Sequence, residues 1–134
     1  DCTFNLLCSD RLYPACHPSL LALAAEQRVT LHGEREMDWS HWTVAGGAHV
    51  GQRDSGLNFS DPGLLLDAAC NGLGIALVSQ LLAQHAHDAG LLQPLTEQRV
   101  RGANWAWLLH RDSEHNPLAR HFCQWLQSAL PAGA

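Results

Sequence analysis

The clearest hydrophobic pattern lies between Phe59 and Gln80, where a helix is predicted to precede a strand. Either Ser60 or Asp61 can cap the helix. Asp61 fits better, because Pro62 then takes the first helical position, where no N–H is needed. Small and apolar residues recur at the spacing of one helix face, at Leu65, Ala68, Ala69, Gly72 and Leu73. We therefore expect this face to pack against a sheet.

A buried strand is predicted directly after this helix. Gly72 and Gly74 supply the turn, because glycine adopts backbone conformations that other residues avoid. The next four residues, 75–78, are apolar without alternation, which is typical of a strand covered on both faces. Strands of this kind belong to parallel sheets, so we expect a parallel sheet here.

Shorter elements are predicted on the N-terminal side of this motif. Residues 6–16 favour one or two strands interrupted at Ser9 and Asp10, with Pro14 placing part of this segment at a sheet edge. The others are a helix from His17-Pro18 to about Ala25, a strand at 29–32, a helix capped by Asp38 that carries Trp39, Trp42 and Val44 and ends at Gly46-Gly47, a polar loop at 51–56 and a strand at 57–59.

The C-terminal side predicts two helices and one or two strands. Ser79 is expected to cap a helix that stops at Gly90, a connector or strand follows at 91–95, and a strand occupies 105–110. A final helix opens at Asn116-Pro117 and carries an apolar stripe made of Leu118, Phe122, Trp125, Leu126 and Ala129. Strands that alternate with helices predict an α/β fold, and because no long linker divides the chain we expect one compact unit.

The composition is that of a soluble globular domain. Of the 134 residues 46% are hydrophobic and 16% charged, and no apolar run approaches the ~20 residues of a membrane span. The five cysteines are an odd number without the spacing of a disulfide framework, so a reducing cytoplasm is the expected location. Because the chain starts at Asp1 without a basic region or a signal-peptide core, we expect a fragment or a processed product.

The charge argues against direct DNA binding by this chain. The net charge is −5, there is no lysine, and the eight arginines are scattered along the sequence. Affinity for nucleic acid depends largely on neutralising phosphates. We therefore expect the chain alone to bind DNA poorly.

No catalytic or cofactor motif is found in the sequence. The glycines at 72 and 74 precede the strand and lack the third glycine of a dinucleotide fingerprint. There is no phosphate-binding loop with a lysine and no Gly-x-Ser-x-Gly turn around a nucleophilic serine. We therefore expect neither an enzyme nor a cofactor.

Nine histidines raise the question of a metal site. The densest groups are His85-Ala86-His87, Cys16-His17 and His121-Phe122-Cys123. Residues two apart on a helix point to different sides, so neither His85 with His87 nor His121 with Cys123 forms a ligand pair on one face. Solvated surface histidines are the expected interpretation, and no metal site is predicted.

Five blocks in a fixed order carry a family resemblance. They are Arg11-Leu12-Tyr13-Pro14-Ala15-Cys16-His17-Pro18, residues 39–42, Phe59-Ser60-Asp61 with the helix and strand as far as Leu77, Gly90-Leu91-Leu92, and Phe122-Cys123-Gln124-Trp125-Leu126. In this order they closely resemble the effector-binding domain of LysR-type transcriptional regulators, especially the glycine-cleavage-activator-like subgroup. The resemblance covers nearly the whole chain, and residues 59–78 are its most specific part.

This resemblance implies a periplasmic-binding-protein-like (type 2) α/β fold, in which two subdomains joined by crossover strands bind a small effector in a cleft. Residues 1–102 would form the second subdomain. Residues 103–134 would be the crossover strand and C-terminal helix of an incomplete first subdomain. The winged helix-turn-helix and the dimerising linker helix are absent from the chain, so DNA binding is expected only through the missing N-terminal domain of a parent regulator.

Phe59, Ser60 and Asp61 are the expected effector-binding residues. Ligands of open α/β sheets lie beyond the carboxyl ends of strands, where helix N-termini present N–H groups, and the resemblance places these residues in the cleft. Because Asp61 would oppose an anion, a carboxylate should meet backbone N–H groups and the Ser60 hydroxyl. The expected partner is a small metabolite, with an anionic one favoured, and simple capping and packing remain the alternative for each residue.

Two other functions fit the same sequence. A standalone solute-binding module of this fold would require an export signal upstream. A fragment of an enzyme whose catalytic residues lie elsewhere would turn over a bound metabolite. A helix-turn-helix encoded before Asp1 would favour the regulator over both.

The final helix also predicts self-association. Its apolar stripe needs a partner, and the crossover strand would carry it away from residues 1–102. A homodimer or higher homo-oligomer is therefore favoured over folding back within one chain, and exchange of the segment after Gly102 is one way for the homodimer to form.

Overall fold

A computed structural model describes residues 1–51 and 56–130 of the chain, so that most of the predicted polar loop at 51–56 lies outside the described residues. Strands and helices are β1 (Cys2–Cys16), α1 (Trp39–Val44), α2 (Pro62–Cys70), β2 (Ala76–Ser79), α3 (Gln80–Asp88), β3 (Gln93–Pro94), β4 (Val100–His110) and α4 (Pro117–Ala129). Short 3-10 turns lie at Pro18–Leu20, Ala25–Gln27, Arg35–Met37 and Arg111–Ser113. This is the α/β architecture that the sequence predicts.

The chain forms two compact units. One consists of residues 11–102, and the other of residues 1–10 together with 103–134. The prediction of one compact unit is therefore wrong. Both boundaries fall inside strands, β1 and β4, so no linker composition marks them in the sequence. How these units correspond to the two subdomains of the predicted fold stays a prediction.

The sheet of residues 11–102 combines antiparallel and parallel pairing. Strand β1 is antiparallel to β2, with Leu12 opposite Ser79 and Ala15 opposite Ala76, and it is also antiparallel to β3. Parallel bridges then join Thr30 to Ile75 and His32 to Asn58. The predicted parallel pairing is correct for these three segments and wrong for β1.

Pro14 lies in the interior of the sheet, and its predicted position at an edge is wrong. It sits in β1 opposite Leu77 of β2, and β1 pairs with β3 on its other side. The Pro14 carbonyl oxygen accepts a hydrogen bond from Leu95 N at 3.0 Å. Proline removes only its own N–H from the ladder, so a central strand tolerates it where its carbonyl still finds a donor.

The predicted helix starts are confirmed at four positions. Side-chain oxygens of Asp38, Asp61, Ser79 and Asn116 accept from Ser40 N, Gly63 N, Leu82 N and Leu118 N at 3.2, 2.7, 3.2 and 2.9 Å. The helix predicted from His17 to Ala25 is wrong, because only a 3-10 turn follows the cap. Leu21 and Leu23 remain exposed there, so no apolar face stabilises a longer helix.

Buried faces of the helices form the core of residues 11–102. In α2, Leu65, Ala68 and Ala69 are buried as predicted, whereas Leu73 lies beyond the helix end and is 55% exposed. Trp39 and Trp42 of α1 pack in one hydrophobic cluster with Leu12, Ile75 and Leu77. Both indole N–H groups donate to backbone carbonyls, Trp39 to Leu31 O at 2.8 Å and Trp42 to Ala48 O at 2.7 Å.

The unit of residues 1–10 and 103–134 buries far less. Its strands are the first half of β1 and most of β4, and Trp105 Nε1 donates to the buried carboxylate of Asp10 at 3.0 Å. Phe4, Leu6 and Leu108 are exposed, and none of the side chains of α4 is buried. Much of the apolar surface of this unit therefore faces solvent.

Candidate functional site

Three parallel segments end at one edge of the sheet of residues 11–102. The bridges described above join residues 29–32, 57–59 and 75–79 in the same direction. Phe59 N donates to His32 O at 2.8 Å, at the carboxyl ends of the first two segments. In open α/β sheets this is the edge where ligands bind, so it is the candidate site.

A small cavity shows that the chain segments following these strands meet. Its volume is about 10 Å³, and it is lined by Met37 from the loop after residue 32, by Pro62 and Leu65 from α2, and by Val78 and Ser79 from β2. Such a volume holds at most one water molecule. The cavity is therefore too small to hold a metabolite.

Phe59 and Ser60 differ in how much they offer to a ligand. Phe59 is partly buried and packs against the same hydrophobic cluster as Met37 and Leu65. Ser60 is exposed, and no described residue forms a hydrogen bond with its hydroxyl. Packing against the hydrophobic cluster thus explains why Phe59 is an apolar residue, whereas the Ser60 side chain is available to a ligand.

Asp61 caps the N-terminus of α2, and its observed hydrogen bonds are all explained by this role. Its carboxylate accepts from Gly63 N at 2.7 Å and its carbonyl oxygen accepts from Leu65 N at 3.1 Å. Pro62 has no N–H to offer. The carboxylate therefore already satisfies the positive N-terminus of α2, and its exposed side attracts cations more readily than anions.

The loop after residue 32 reaches the same edge, although its residues were not predicted to belong to the site. Gly33 N donates to Met37 O, and a Cβ at Gly33 would lie 2.6 Å from the Met37 Cβ, so the loop is closely packed. Arg35 at its tip is exposed and has a positive φ of 57°. The sequence does contain a feature that could have indicated this loop, because a run of charged residues follows the predicted strand at 29–32. Ser79, predicted only as a cap, also lies here.

The described histidines and cysteines do not form a metal-binding group. Within residues 1–51 and 56–130, no three His, Cys, Asp or Glu side chains are grouped so that they could hold a metal ion. Cys70 and His85 line a groove of about 380 Å³ between α2 and α3. Burial, with a smaller contribution from the Asp67 carboxylate, raises the pKa of the Cys70 thiol. This thiol therefore stays protonated and a weak nucleophile at neutral pH.

The family of this chain follows from comparison with known proteins. The family model described as LysR substrate binding domain matches residues 1–131. The chain belongs to this family. Being a LysR substrate-binding domain, it falls in a family of transcriptional regulators rather than of enzymes.

One curated relative is the uncharacterized HTH-type transcriptional regulator y4mQ of Sinorhizobium fredii (strain NBRC 101917 / NGR234). It is 30% identical over 131 residues, which cover 90% of this chain and 43% of that protein. The chain thus spans less than half the length of this relative.

Solved structures confirm the fold of this LysR domain. The effector domain of the regulator AmpR of Pseudomonas aeruginosa is similar with a TM-score of 0.73 at 18% identity, over 95% of this chain and 64% of that one. Full-length LysG of Corynebacterium glutamicum, solved with bound effector Arg, has a TM-score of 0.60 at 17% identity, over 94% of this chain and 45% of that one. The predicted periplasmic-binding-protein-like effector fold is therefore correct.

The helices of the LysR domain are short. None of those in the described ranges is long and apolar enough to cross a membrane.

Proposed function

We propose that this chain is the effector-sensing part of a LysR-type regulator and binds a small metabolite at the carboxyl edge formed by residues 29–32, 57–59 and 75–79. The observation that carries this proposal is the parallel pairing of these segments, which brings Ser60 and the loop tip at Arg35 to one exposed edge. DNA binding would belong to a winged helix-turn-helix outside these residues. A cytoplasmic location follows from that role.

Residues 1–102 are proposed as the second subdomain and residues 103–134 as the return segment of the first. The boundary between the compact units in β4, at residues 102 and 103, supports this division at its C-terminal side. The exposed apolar surface of residues 1–10 and 103–130 supports an incomplete first subdomain. The glycine-cleavage-activator-like subgroup remains a proposal that depends on the order of the sequence blocks.

The polar groups at the edge suggest which ligand would bind. The Ser60 hydroxyl can donate to an anionic group, which supports the anionic metabolite favoured by the sequence analysis. The exposed Asp61 carboxylate suits an ammonium or guanidinium group. A metabolite with a carboxylate and a cationic group would satisfy both, and the arginine bound by the structurally similar LysG is of this class.

Replacing Ser60 with alanine should weaken the effector response of the parent regulator. Loss of one hydrogen bond to a ligand costs about 1 kcal/mol, so the half-maximal effector concentration should rise about fivefold. The measurement is a reporter dose–response curve, after a thermal-shift screen of the regulator against amino acids and carboxylic acids has identified an effector.

Ser128→Ala is the matched control for this experiment, because the Ser128 hydroxyl donates to Trp125 O within α4, and α4 belongs to the compact unit that does not contain the candidate edge. Both variants should keep the thermal stability of the wild type, since both serines are exposed. A Ser60→Ala curve that superimposes on the wild-type curve would remove Ser60 from the site.

The 134-residue chain should not retard duplex DNA in a gel-shift experiment at physiological salt. The net charge is −5, and no lysine is present to neutralise phosphates. Sub-micromolar, sequence-specific retardation by this chain would contradict the assignment of DNA binding to another domain. The parent regulator, once obtained, is the positive control on the same operator fragment.

A standalone solute-binding module of the same fold is less favoured, since the matched family and the curated relative are regulators. The gene sequence upstream of the codon for Asp1 distinguishes the two. A helix-turn-helix there supports the regulator, and an export signal in its place would support the solute-binding module.

A further inference from the structure

Two polar residues of the candidate edge, His32 and Asn58, belong to neighbouring strand segments. A parallel bridge pairs them, and it is fixed by hydrogen bonds from His32 N to Leu57 O and from Phe59 N to His32 O, both 2.8 Å long. Residues paired in this way point to the same face of a sheet, and neighbouring strands are about 4.8 Å apart. The imidazole and the carboxamide therefore stand side by side.

These two side chains lie on the face of the sheet opposite α2 and α3. Leu31 and Phe59, which alternate with them along the two segments, pack into the hydrophobic cluster that contains the buried residues of α2 and α3. Successive side chains of a strand point to opposite faces, so His32 and Asn58 point away from those helices. Asn58 is exposed and His32 is partly exposed. Both can therefore reach a ligand at the edge.

One nitrogen of the His32 ring is held by its own strand. Nε2 lies 3.1 Å from Oγ1 of the buried Thr30. A hydroxyl can donate or accept, so this contact is compatible with either tautomer of the ring. Within residues 1–51 and 56–130, neither Nδ1 of His32 nor the carboxamide of Asn58 has a hydrogen-bond partner. Both side chains can therefore offer an N–H group to a ligand.

We infer that His32 Nδ1 and Asn58 Nδ2 donate to the two oxygens of one effector carboxylate. Two N–H donors on strands about 4.8 Å apart suit a group with two acceptor oxygens. The corresponding amide would turn its own NH₂ group towards one of the donors. This inference rests on the proposed function, since it names ligand contacts at the same edge. The edge should accordingly prefer a carboxylate to the corresponding amide.

NMR titration of the 134-residue chain with the common amino acids and their α-amides, at millimolar concentrations, tests this inference. An acid that binds should move the His32 Nδ1 resonance towards that of a protonated nitrogen. Its amide should bind about tenfold more weakly, because hydrogen bonds to a charged group are the stronger ones. The absence of one resonance from the spectrum of His32→Ala identifies the His32 signal.

Two variants should change the binding of the acid in different ways. His32→Ala removes one donor and should weaken the binding of the acid about tenfold. Asn58→Asp places a like charge against the carboxylate, so the preference for the acid over its amide should fall about tenfold or more. Because Asn58 is exposed, this second variant should fold even if His32→Ala does not.

His85→Ala and Asn71→Asp are the matched controls. Both side chains line the groove between α2 and α3, on the opposite face of the sheet. Each control makes the same chemical change as its partner variant, and both should keep the wild-type preference for the acid. Circular dichroism confirms that each variant is folded.

The outcomes separate this inference from the proposed function. Binding of an acid that weakens in Ser60→Ala but not in His32→Ala or Asn58→Asp would overturn the inference and leave the proposed site standing. Equal affinities of the wild type for acids and their amides would also overturn it, as would controls that lose the preference as fully as Asn58→Asp. A folded chain that binds none of the probes would count against both proposals.

Discussion

Replacing Trp42 with alanine should lower the free energy of unfolding of residues 11–102 by about 3 to 5 kcal/mol. Trp42 is fully buried, and its indole N–H donates to Ala48 O at 2.7 Å. Gly47 lies directly against the ring, since a Cβ at this position would overlap it. Alanine would leave both a cavity and an unpaired carbonyl, and packed surroundings relax only partly into such a space.

Urea unfolding followed by far-UV circular dichroism measures this loss. Val44→Ala is the control in the same helix, because Val44 is 88% exposed and its truncation should change the stability by less than about 0.5 kcal/mol. A Trp42→Ala variant as stable as Val44→Ala would show that α1 does not pack against Leu12 and Leu77 as described.

Replacing Gly56 with alanine should destabilise the chain by about 2 to 4 kcal/mol and also disturb the candidate site. The φ of Gly56 is 137°, in a region that only glycine adopts readily, and a Cβ there would overlap the carbonyl oxygen of Thr30. Gly56 leads directly into the segment at 57–59, which pairs with His32 through a single bridge. This segment would have to shift away from residues 29–32, and Ser60 would move with it.

Gly46→Ala is the control that measures the cost of a positive φ without the steric overlap that a Cβ at Gly56 would cause. Gly46 also has a positive φ, of 85°, but a Cβ at this position meets no atom within 4 Å. Its replacement should cost only about 1 kcal/mol. Equal midpoints of thermal unfolding for the two variants would mean that the close approach of Gly56 to Thr30 does not matter for stability.

Features that depend on neighbouring residues could be predicted from the sequence. The carboxylate of Asp61 lies two residues before the N–H that it accepts, and the buried run at 75–78 needs no information from distant residues. The position of Pro14 depends on residues that are more than sixty positions away in sequence, since it pairs with Leu77 of β2 and accepts from Leu95 N. Local pattern reasoning does not contain that pairing, so the edge prediction failed there.

Only part of the candidate site could be predicted, because local sequence patterns do not show which distant segments pair. The rule that ligands bind at the carboxyl ends of strands selects Ser60, because its strand and helix are adjacent in sequence. The same rule applies to the loop containing Arg35, but the strand before it pairs through single bridges and gives only a weak local signal. Only the parallel register shows that this loop and Ser60 share an edge.

The order in which the chain folds follows from the position of the unit boundaries. Residues 1–10 and 103–134 form one unit, and the whole of 11–102 lies between them in sequence. Closing so long a loop has a large entropic cost, which falls once the intervening residues are already compact. Residues 11–102 should therefore fold first, and the two terminal segments should join last. In native-state hydrogen exchange, the amides of α4 should exchange well before those of β2.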